Sequence, residues 1–142
     1  MKEDIISFET ATIADQIGFD SIYINKCYNQ DKKLLNKGFR LNWNKAKGYN
    51  EKYYSAPTQS LLQKWLREKY NVYANPIPNF KNDIGEHHAG IVLLRNDNVI
   101  DTVILKDKRG LNKIFISFEE SLEEVLKESC KIVFKNIHDN KD

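Results

Sequence analysis

The stretch Ala89-Gly90-Ile91-Val92-Leu93-Leu94-Arg95-Asn96-Asp97-Asn98-Val99-Ile100-Asp101-Thr102-Val103-Ile104-Leu105-Lys106 holds two β-rich runs joined by turn chemistry. Branched apolar side chains fit a pleated, half-buried backbone. Asn96-Asp97-Asn98 supplies residues that reverse a chain, so the stretch reads as an antiparallel hairpin with strands over 89–95 and 99–106. A sheet with one apolar face needs another layer to cover it.

Two amphipathic helices flank the hairpin. Pro57 suits a first helical turn, and Leu61, Leu62, Trp65, Leu66 and Tyr70 then fall on one stripe at 3.6-residue spacing, which predicts a helix over 58–70 with Trp65 in the core. Toward the C-terminus, Ser117-Phe118-Glu119-Glu120 is a capping box. The stripe Phe118, Leu122, Val125, Leu126, Val133 and Ile137 predicts a buried face over 118–137, with acids at its start, lysines at its end and Glu123 to Lys127 as an i,i+4 pair. Each element has one face to bury. The expected fold is therefore α+β: a single two-layer domain over 1–142, with a small, mostly antiparallel sheet and helices packed on one face.

Further out the signals shorten. Ser7 caps a predicted helix over 8–17 that buries Phe8, Ala11, Ala14 and Ile17 and stops at Gly18. Residues 21–28 alternate like a strand, and Val72-Tyr73-Ala74-Asn75-Pro76-Ile77-Pro78 is extended, its two prolines confining it to a sheet edge. Lys113-Ile114-Phe115-Ile116 suggests a short strand, and residues 79–86 a loop. Between 29 and 54 the chain is Asn-rich and basic, read as loop or insertion apart from a short half-buried strand through Phe39, Leu41 and Trp43. Residues 138–142 are expected to fray.

The chain of 142 residues carries 22 basic and 20 acidic side chains, a balance too even to imply a polyanionic partner by itself. The distribution is less even: residues 1–31 hold two Lys against six acids, and residues 32–54 hold seven Lys or Arg against Glu51 alone. No apolar run is long enough to span a bilayer, and the N-terminus has no apolar signal region, so the expectation is a cytoplasmic protein without membrane contact. Cys27 and Cys130 lie far apart in strand-like and helix-like patterns, and read as reduced core residues.

Chemistry-bearing motifs are few. His87-His88, preceded by Asp83 and Glu86, could be imagined around a metal, but adjacent strand residues point to opposite faces, so the pair reads as structural. No nucleophile elbow and no phosphate-cradling glycine loop is present. The expectation is a non-enzyme with no catalytic residues, no metal and no cofactor. What remains is the basic segment. Lys32, Lys33, Lys37, Arg40, Lys45, Lys47 and Lys52 supply charge for phosphates, and Phe39, Trp43, Tyr49, Tyr53 and Tyr54 are candidate stacking platforms for unpaired bases, Tyr49 and Tyr53 foremost, with Phe39 and Trp43 alternatively core residues of the short strand.

Tyr54-Ser55-Ala56-Pro57-Thr58-Gln59-Ser60-Leu61-Leu62-Gln63-Lys64-Trp65-Leu66-Arg67-Glu68, the ending Ser117-Phe118-Glu119-Glu120-Ser121-Leu122-Glu123, and the opening helix closed by Gly18-Phe19-Asp20 resemble segments of a family of small phage and prophage proteins of gut anaerobes. These three blocks cover about a third of the chain. The family has no assigned activity, so the resemblance implies a phage-related accessory protein and carries over no site residue. Two partner classes follow as expectations: single-stranded nucleic acid bound through residues 32–54, or a host protein.

Overall fold

The computed structural model describes residues 4–48, 51–79, 86–95 and 98–139. Its elements are α1 (Phe8–Gln16), β1 (Ile24–Tyr28), β2 (Leu34–Leu41), β3 (Lys47–Gly48), β4 (Glu51–Lys52), β5 (Tyr54–Ser55), α2 (Gln59–Tyr70), β6 (Val72–Pro78), β7 (His87–Arg95), β8 (Asn98–Ile104) and α3 (Phe118–Asp139). The fold is α+β, as the patterning predicts. Its strands form two three-stranded antiparallel sheets, ordered β2-β1-β5 and β6-β7-β8, and a two-stranded ribbon β3-β4. None of its helices is long and apolar enough to cross a membrane, among the described residues.

The chain forms two compact units. The first comprises the described residues up to Leu61 together with those from Cys130 onward. Ser7 Oγ accepts the Thr10 N–H at 3.2 Å to start α1, and Gly18 takes a positive φ of 88° after Ile17 ends it. Ala11, Ala14 and Ile17 are buried as expected, and Phe8 is half-buried, meeting Tyr28 and Tyr54 edge to face at 5.6 Å each. Cys27 at the centre of β1 is buried and free, and burial pushes its thiol pKa up, with Lys37 acting against this.

The second unit runs from Leu62 to Ser129. Directly paired residues share a sheet face, so Val72 and Ala74 of β6 lie with Ala89 and Ile91 of β7 on one buried side. Leu62 and Leu66 of α2 and Leu122, Val125 and Leu126 of α3 are buried with them. Ser121 Oγ donates to His88 O at 2.7 Å and Gln63 Nε2 to Ala74 O at 2.6 Å, which ties each helix to a strand. The expected hairpin is present as β7 and β8, although its turn residues Asn96 and Asp97 lie outside the described residues. Most of the 79–86 loop lies outside them too.

Several expectations need correction. Trp65 is half-buried against Tyr70, at 5.4 Å edge to face, and Leu62 and Leu66 occupy the centre of the stripe instead. Phe118 is exposed because it opens α3, where one helix side has no turn before it, and its ring meets His87 edge to face at 5.9 Å. Residues 113–116 form no strand: Phe115 makes a single two-bond bridge to His87 and then the chain turns into α3. Outside these corrections, Glu124 pairs with Lys127 at 3.1 Å and with Lys113 at 3.5 Å. His138 and Asp139 are helical rather than frayed, and 140–142 lie outside the described residues.

Candidate functional site

The basic segment is built on β2, which the sequence reading took largely for loop. Asn29 prepares its start: the Asn29 Oδ1 accepts the N–H groups of Asp31 and Lys33, each at 2.9 Å, and Lys32 takes a φ of 64°. That is Asx-turn chemistry, which asparagine tolerates and β-branched residues do not. From Leu34 the chain pairs regularly with β1 up to Asn36 opposite Lys26. The next pair is Leu41 opposite Ile24, so two steps along β1 are answered by five along β2.

The four residues between these pairs, Lys37-Gly38-Phe39-Arg40, stand against Asn25 alone and form an irregular knuckle. Gly38 sits at φ 71°, and its N–H is taken by Asn36 Oδ1 at 3.2 Å. A side chain at that φ would be strained, so glycine permits the bend. The bend turns Phe39 outward until it is 67% exposed, between exposed Lys37 and Arg40. Phe39, for which the sequence leaves core and surface both open, therefore belongs to no core. Trp43 does: it is 6% exposed and donates from Nε1 to Ile24 O at 2.7 Å, although it stands in a turn and not in a strand.

The remaining candidate residues separate into exposed and structural groups. Lys32, Lys33, Lys37, Arg40 and Lys45 are exposed. Lys32 Nζ lies 5.8 Å from the Phe8 ring centre and Lys37 Nζ 5.6 Å from that of Tyr53, contacts that position each ammonium without burying it. Lys52 is different. Its Nζ donates to Asn44 O at 2.8 Å, meets Asp15 Oδ2 at 3.3 Å and covers the Tyr54 ring at 5.4 Å, so it braces the fold. Tyr53 is 9% exposed, stacks edge to face on Trp43 at 5.8 Å and donates its hydroxyl to Glu51, so it is a core residue and no platform for bases. The Glu51 hydrogen bond, then burial, raise the Tyr53 pKa. Lys47 lies in β3, in register with Lys52 of β4, and Tyr49 lies outside the described residues.

Asn44 was not singled out from sequence, yet it organises the segment. Its Nδ2 donates to Phe19 O at 3.0 Å and its Oδ1 accepts the Ser55 N–H at 2.8 Å. A further missed feature is apolar. Ile22 and Tyr23, which lead into β1, and Leu41, at the end of β2, are exposed. The signal was available: Ile22-Tyr23 is uncharged and precedes the strand residue Ile24 that faces Leu41.

The histidine pair starts β7. His87 lies edge-on to Phe118, while His88 Nδ1 lies 3.2 Å from Lys113 O. Asp83 lies outside the described residues, and among the described residues no three His, Cys, Asp or Glu side chains are grouped to hold a metal ion. No protein-family model matches the chain, and no similar protein is found among the curated proteins or the solved structures.

Proposed function

We propose that this chain is a non-enzymatic accessory protein of phage or prophage origin, working in the cytoplasm, that binds single-stranded nucleic acid through the β2 knuckle. The observation that carries the reading is Phe39, two-thirds exposed on a bend between two cations. Leaving a phenyl ring in water costs the protein the stabilisation its burial would supply, about 1.5–3 kcal/mol. A ring so placed matches the stacking platforms on which unpaired bases lie, and Lys33, Lys37, Arg40 and Lys45 are exposed on the same segment to meet phosphates. Stacking is indifferent to base identity, so the binding is sequence-tolerant.

A host-protein partner is the second reading, favoured by exposed Ile22 and Tyr23, which lead into β1, and by exposed Leu41 at the end of β2. The two readings separate on one pair of variants. Arg40→Glu with Lys33→Glu should weaken binding to a fluorescent oligothymidylate sharply, and Phe39→Ala should weaken it about tenfold or more. An oligothymidylate bound equally by wild type and both variants rejects the knuckle. Retention of a protein partner after nuclease treatment, lost in Tyr23→Ala, supports the second reading instead. Lys52 is left intact because its reversal would break the Asp15 and Asn44 contacts.

A further inference from the structure

The second sheet has two outer edges, and each is closed by a different device. On β6, His87 exchanges both of its backbone hydrogen bonds with Phe115, so the residues of β7 that face β6 are the alternate ones, His88, Gly90 and Val92, opposite Ile77, Asn75 and Tyr73. The outward positions of β6 are then Val72, Ala74, Pro76 and Pro78. The two prolines offer no N–H, and Ala74 O accepts from Gln63 Nε2 at 2.6 Å. Proline therefore interrupts the row of donors that another strand would need on that edge.

On β8 there is no proline. Leu105 N–H donates to Ala89 O at 3.0 Å, and antiparallel alternation then aims the amides of Thr102 and Ile104 at the open edge. Exposed rows of this kind recruit other chains. Val99 and Ile100, 63% and 58% exposed, make this edge apolar as well. The side chain of exposed Asp101 supplies the only charge on β8, and its Oδ1 accepts the outward Thr102 N–H at 2.8 Å.

We propose that Asp101 is a gatekeeper that closes β8 against the β8 of a second copy. Antiparallel β8–β8 pairing is two-fold symmetric, and every register that pairs Thr102 and overlaps at least five residues of the two β8 strands brings the two Asp101 carboxylates opposite each other or within two positions. Like charges at that distance oppose the pairing. The same carboxylate also occupies the donor that a partner strand would need. Without it, β8 is an uncharged, β-branched strand complementary to itself.

The test is sedimentation of the full chain over a concentration series, with amide exchange as the second readout. Asp101→Ala should show a concentration-dependent doubling of mass that the wild type lacks at the same concentrations, with slowed exchange at Thr102 and Ile104. Asp101→Lys removes the cap and keeps a repelling charge, and should sediment as the wild type does. Should Asp101→Ala lose the hairpin, Asp101→Val, which removes both the charge and the acceptor and suits a strand, takes its place with the same expected outcome. The proposal is overturned if the folded variant stays at wild-type mass, if association leaves Thr102 and Ile104 exchanging as before, or if Asp101→Lys associates equally.

Discussion

Asn44 shows how much a single polar side chain holds in the first unit. Its amide bridges the end of the α1 segment, at Phe19 O, to the β5 amide of Ser55. Both backbone groups belong to buried residues, so removing the amide takes a bond from each at a cost of about 1–3 kcal/mol. Asn44→Ala should therefore lower the unfolding free energy by that amount, read as a lower denaturant midpoint with an unchanged slope, and a midpoint equal to wild type would mean that water replaces both bonds. A second comparison at this scale concerns the α2 stripe. Leu66 is fully buried and Trp65 is not, so Leu66→Ala should cost about 2–5 kcal/mol, whereas Trp65→Ala should fall short of the roughly 3–5 kcal/mol of a core tryptophan. Equal or inverted losses in chemical denaturation would place Trp65 back at the centre of the stripe. Periodicity alone assigned both residues to one face; it could not say which of them sits at the middle of the contact.

Among the elements, helices and the β7–β8 hairpin were the most legible. Their signals are local: Ser7 and Ser117 do accept the amides of Thr10 and Glu120, as a cap must, and the prolines of β6 do lie on an edge. β2 was not legible because its side chains are open to solvent on both sides for nearly its whole length, leaving no alternation to read. It is a strand through backbone pairing to β1, which composition does not report. Around Phe115, read as a short strand, the backbone pairs in a bridge to His87 instead. On α3, desolvation of Glu124 would raise its pKa, but hydrogen bonding and charge from Lys127, then Lys113, outweigh it and hold the carboxyl below its ordinary value. The folded pKa is the lower one, so the stabilisation is present above the unfolded value near about 4.3 and is lost as pH falls through the folded value. With partial exposure it amounts to about 1 kcal/mol or less. Glu124→Gln should melt below wild type at neutral pH, and the gap should close in acid; a gap independent of pH contradicts the assignment.

For the molecule as a whole, the sequence reading singled out a segment whose members the fold then divides. Counting cations and aromatics pointed to residues 32–54, yet Tyr53 and Lys52 hold the fold, while Phe39, which the sequence left open between core and surface, stands in water. Burial is a property of tertiary packing, and a five-against-two register leaves no trace in composition. The central claim is that the β2 knuckle tracks phosphates and stacks bases. Its most direct test is the affinity of the full chain for oligothymidylate, followed by fluorescence anisotropy as salt is raised from about 50 mM to about 200 mM. Each phosphate contact contributes a log–log slope near 0.7, so contacts from Lys33, Lys37, Arg40 and Lys45 predict a slope of about −3, made shallower by about 0.7 for each of these charges removed. Phe39→Ala should lower affinity at every salt concentration and leave that slope in place, since stacking releases no counterions. No binding at about 50 mM salt, or binding with a flat salt dependence, would contradict the account.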